Sequence, residues 1–134
     1  MRFGIVNAKL RTAKILDLPD IDTAKRVARL KPLEVDHGSI TRHMHIIVYE
    51  FSLFVPVDKQ VWYSIGRQLY GGNAVVYACD DAGETVDMSM LPPPILWFKD
   101  AAAVEQAIGW GQVERPVTAF NGAVLWRWPD PRVI

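Results

Sequence analysis

The chain has 134 residues, half of them apolar and 22% charged, and its 15 lysines and arginines equal its 15 aspartates and glutamates. That length fits one domain able to bury about two thirds of its unfolded surface. No apolar run approaches the roughly 18 residues of a membrane span, and charge neutrality removes both the basic field that gathers nucleic acid and the acidic excess of a DNA mimic.

The opening MRFGIVNAKLRTAK has no small-residue cleavage site, so it does not read as a secretory signal. A single cysteine, Cys79, fits a reducing, cytoplasmic setting. Residues 3–7 and 13–18 are short β-prone runs around a polar, basic segment, which predicts an opening hairpin. Asp20 or Asp22 is expected to cap a helix with Ile21, Ala24, Val27 and Leu30 on one face, Lys25, Arg26 and Arg29 elsewhere, and Pro32 as its stop. In HMHIIVYEFSLFVP (43–56) apolar residues occupy both alternating faces, as in a strand covered on both sides. VWYSI (61–65) is β-prone and ends at the polar Gly66-Arg67-Gln68. Residues 73–79 read as a strand with Val75, Tyr77 and Cys79 opposite Ala74, Val76 and Ala78.

The triple proline 92–94 forbids helix and central strand, predicting a stiff extended connector. ILWF (95–98) follows as a strand, and Asp100 caps AAAVEQAI, which ends at Gly109 or Gly111. Asn121-Gly122 suits a type I′ turn between two last β-prone runs. The expected fold is a single α+β domain over 1–134, with one mainly antiparallel sheet and two α-helices packed on it.

YGGNAVVYACDDAGETVDM (70–88) is the stretch most like a ligand loop. A phosphate loop places glycines after a strand and before a helix; here they precede a strand and no Gly-Lys-Ser/Thr follows. Asp80-Asp81-Ala82-Gly83-Glu84 has turn chemistry and is too short for a calcium loop, so an exposed turn is expected. Gly38, His43, His45 and Glu50 resemble the first metal motif of the cupin barrels, which implies a metal-dependent enzyme as an alternative. The spacing places His43 and His45 on one strand face, but an unbroken strand puts Glu50 on the other. The second cupin motif needs a later histidine, and none follows His45. His37 joins only if a turn at Gly38 folds it back. A metal-free pair of strand histidines is therefore favoured, and no cofactor is expected.

Cys79, inside an apolar run, reads as a small core residue. Ser39, Ser52, Ser64 and Ser89 stand in no recognisable nucleophile motif. Five tryptophans are many for this length. Burial in the core is the favoured reading, with a recognition surface as its rival. That surface would comprise Trp126, Arg127, Trp128, Trp110, Arg67 and Arg115, with Trp128, next to Pro129 near the chain end, expected to be exposed.

Residues 47–88 resemble a group of uncharacterised small proteins carried by bacteriophages and plasmids. The matching residues are Val48-Tyr49-Glu50-Phe51-Ser52-Leu53, Pro56, Trp62-Tyr63-Ser64-Ile65-Gly66, Gly72-Asn73-Ala74-Val75-Val76 and Asp80-Asp81-Ala82-Gly83-Glu84-Thr85. Phe51-Ser52 depart from the Glu-Gly of that group, and the histidines before them are a further departure. The resemblance implies an accessory protein of a mobile element that works by binding a host protein or protein complex, such as an anti-CRISPR inhibitor of host defence. A sponge for a small nucleotide, using Arg67, Arg115 or Arg127 with an aromatic platform, is a third alternative. No membrane partner is expected, and a homo-oligomer stays open.

Overall fold

The computed structural model describes residues 1–31, 34–49, 61–66, 68–109, 123–126 and 128. In chain order the elements are β1 (Arg2–Asn7), β2 (Thr12–Asp17), α1 (Ile21–Val27), β3 (Val35–Thr41), β4 (Met44–Tyr49), β5 (Trp62–Ile65), β6 (Gln68–Gly71), β7 (Ala74–Cys79), β8 (Thr85–Val86), β9 (Ile95–Phe98), α2 (Ala101–Gly109) and β10 (Ala123–Trp126). The structure is mainly antiparallel β-sheet with two helices among the described residues. None of its described helices is long and apolar enough to cross a membrane.

The opening hairpin forms as expected, β1 against β2. Its turn is closed by the Asn7 side chain, which accepts the Leu10 N–H at 3.1 Å. Asp20 caps α1, accepting both the N–H and the hydroxyl of Thr23 at 2.7 Å. Those bonds, the backbone one first, hold its carboxyl below the usual aspartate range. The helix ends before Pro32. Arg29, at φ 61°, donates its N–H to Arg26 O, and the Leu30 N–H reaches Lys25 O at 2.9 Å, the paired closure of a Schellman end. Ending there changes the apolar face: Ala24, Ala28 and Leu30 are buried, whereas Val27, expected with them, is exposed. Positions 21, 24 and 28 share one side of the helix, and 27 lies a quarter turn away.

The expectation of one sheet is corrected. The described strands divide into a six-stranded sheet, ordered β2-β1-β7-β4-β3 with β8 also on β7, and a four-stranded sheet, ordered β10-β9-β5-β6. Every pairing is antiparallel. β4 lies along β7 from Ala74 to Ala78, so β8, opposite Ala78 and Cys79, takes the other side of β7, beyond the point where β1 stops pairing. Arg2 closes that junction, its backbone N–H and guanidinium both donating to Asp87 at 2.6 and 2.9 Å.

Strand alternation then builds four layers. Phe3, Ile5, Ile47 and Val75 face α1 through Ala24, Ala28 and Leu30. From the other side of the same sheet Val6, Ala13, Met44, Ile46, Ala74, Val76 and Ala78 meet Tyr63, Ile65, Ile95 and Trp97 of the second sheet. Leu96 and Phe98 on the far side receive Ala103, Val104 and Ala107 of α2, which Asp100 caps by accepting the Ala103 N–H at 2.9 Å. The alternation expected for 73–79 holds. For 43–56 the two-sided burial holds over β4, and 50–56 lies outside the described residues. Asn73 ties the layers together: its side chain accepts the Ala8 N–H and donates to Ala28 O.

Candidate functional site

The turn after β7 is the expected solvated one. Asp80 accepts the N–H groups of Ala82 and Glu84 at 3.0 and 2.9 Å, and Gly83 takes φ 82°, a conformation glycine adopts without penalty. Asp81 reaches the neighbouring β3–β4 turn, where Arg42 lies at 3.3 Å and His43 Nε2 at 3.6 Å. All three side chains are mostly exposed, so water screens these contacts and each is worth under about 1 kcal/mol.

His43 and His45 do not share a strand face. His43 sits in the turn beside Asp81, whereas His45 lies on β4, in register between Ser39 of β3 and Tyr77 of β7. Its ring stacks on Tyr77, with centroids 5.6 Å apart and planes at 29°, and its Nδ1 is 3.2 Å from Ser39 Oγ. Burial raises the Tyr77 hydroxyl pKa, with the nearby Cys79 adding to it. His37 lies on the edge strand two positions from Ser39, opposite Ile47. Glu50, the third member of the cupin-like set, lies outside the described residues. Among those residues no three His, Cys, Asp or Glu side chains gather to hold a metal.

Of the tryptophans whose burial is described, Trp97 and Trp128 follow the core reading and Trp62 is half-buried. Trp97, Tyr63 and Tyr70 form a cross-strand row over β9, β5 and β6, with Tyr63 and Trp97 centroids 4.9 Å apart. The Tyr63 hydroxyl donates to Gly72 O at 2.9 Å. Among the described residues, Trp97 Nε1 and the Tyr70 hydroxyl are enclosed and find no hydrogen-bond partner. Trp128, expected to be exposed, is only 4% exposed. Its indole lies against Gly4, which has no side chain to hold it off, and its Nε1 donates to Pro93 O at 2.9 Å. Cys79 is buried as expected. Trp126 ends β10 opposite Ile95. Trp110, Arg67, Arg115 and Arg127 lie outside the described residues, as does the Asn121-Gly122 turn.

Two features escaped the sequence. Ser39 has a histidine partner: a hairpin centred on Arg42-His43 alone would set 40 opposite 45, and the register shift between Ser39 and Thr41 brings 39 there instead. The second is apolar: Met90 and Leu91, adjacent in the proline connector, are 73% and 38% exposed. No protein-family model matches this chain, and no curated protein and no solved structure matches it either.

Proposed function

We propose that this protein acts by binding another protein, as a small accessory protein of a phage or plasmid that inhibits a host defence complex by binding alone, without catalysis on that complex, in the manner of an anti-CRISPR. In this reading the chain is a single cytoplasmic α+β domain. The observation that carries it is the exposed Met90-Leu91 pair. Met90 is 73% exposed and its chain neighbour Leu91 38%, next to three prolines of which Pro93 accepts the Trp128 bond. A backbone already restrained by prolines loses little further entropy when a partner covers it. Overall charge neutrality suits a partner read by shape and apolar contact, and disfavours one drawn in by long-range charge. The resemblance of 47–88 to phage and plasmid proteins supplies the biological setting.

The test is plasmid transformation of bacteria carrying an active CRISPR system that targets the plasmid. Expression of the protein is expected to raise transformation by on the order of tenfold or more, and the pair Met90→Asp, Leu91→Asp to abolish the gain with an unchanged melting temperature, since both side chains are exposed. Equal transformation with and without the protein across the major CRISPR types overturns the inhibitor reading. Full inhibition by the double variant overturns the role of the apolar pair.

A further inference from the structure

The outer face of the first sheet carries a row that the binding reading does not use. Ser39 on β3, His45 on β4 and Tyr77 on β7 stand in register, with Ser39 Oγ 3.2 Å from His45 Nδ1. We propose that Ser39 is a nucleophile activated by His45 as general base, and that the site takes small activated acyl compounds, esters first among them.

Three observations support this. The imidazole is half-buried and stacked on Tyr77, so its aim at Ser39 is set before any substrate arrives. Ser39 itself is exposed, leaving its oxygen open to an approaching carbonyl carbon. Between Ser39 and Thr41 the register of β3 on β4 shifts; such irregularities re-aim a side chain and are over-represented beside active sites.

The chemistry balances with ester and water alone. In the tautomer with its proton on Nε2, His45 receives the Ser39 hydroxyl proton at Nδ1 as Oγ bonds to the carbonyl carbon. Collapse of the tetrahedral adduct breaks the ester bond, and the leaving oxygen takes that proton from the imidazolium, giving an alcohol and acylated Ser39. Water attacks the acyl group, His45 takes and returns a proton, and the acid departs with the serine restored.

The test is labelling of the full chain with a fluorophosphonate, with the site assigned by mass spectrometry and the exposed Ser89 as internal reference. Ser39 is expected to label well ahead of Ser89. His45→Gln is expected to slow Ser39 labelling on the order of a hundredfold. With p-nitrophenyl acetate, a nitrophenolate burst is expected that Ser39→Ala removes. Labelling of Ser39 no faster than Ser89, or at the same rate in His45→Gln, overturns the proposal. The Met90 and Leu91 variant leaves all these readouts intact, so the two ideas fail separately.

Discussion

A Cβ at position 4 would stand 3.0 Å from Cη2 and Cζ3 of Trp128 and 3.1 Å from the Cβ of Val76. Gly4→Ala therefore forces the indole off the sheet or bends β1, and is expected to lower stability by about 1–3 kcal/mol, read from the midpoint of urea unfolding. The same contact explains why Trp128 was misread. Nearness to the chain end and to Pro129 argues for exposure, yet burial depends on a missing side chain 124 positions earlier, which no local pattern records. Cys79 and the Asp80 turn were legible because their determinants are neighbours in the chain. Ser39 was not, because its partner is set by how β3 registers on β4.

Among the elements, α1 carries the clearest opportunity for change. Arg29 holds φ 61° at the position after the helix cap, where a side chain is strained and glycine is not. Arg29→Gly is expected to raise stability by about 0.5–1 kcal/mol, the relief of strain exceeding the extra entropy of the unfolded chain; differential scanning calorimetry checks it. A cap and periodicity made α1 readable and a cap and terminal glycine made α2 so, and β1, β2, β7 and β9 showed themselves by apolar alternation or apolar runs. β3 did not. VDHGSIT lies at a sheet edge with much of its side-chain surface in water, so it lacks the apolar signal of a covered strand. β6 is four residues long and likewise at an edge.

For the molecule as a whole, the layer between the sheets sets the response to alkali. Burial raises the Tyr63 hydroxyl pKa far above that of a free tyrosine, with Tyr70 adding to it, and pushes the Tyr70 hydroxyl up to about 12. Unfolded tyrosines titrate near pH 10. Stability is thus intact below about pH 10 and is lost as pH rises toward 12, because the unfolded chain releases protons that the folded one keeps. Tyr63→Phe is expected to flatten that loss by up to about 1.4 kcal/mol per pH unit, while lowering stability at neutral pH by about 1 kcal/mol through the lost bond to Gly72. Denaturant unfolding at pH 7 and across pH 10–12 separates the two effects. The division into two sheets was not legible, because each strand's own pattern says only that it is covered, not by which neighbour. The strand order has a last consequence, for synthesis. β1 meets β4 only through β7, so a nascent chain that has not yet emitted residues 74–79 owns two separate hairpins with no seam between them. Arrival of that one strand joins both hairpins into one sheet, whose inner face is covered only once Ile95, Trp97 and Trp128 follow.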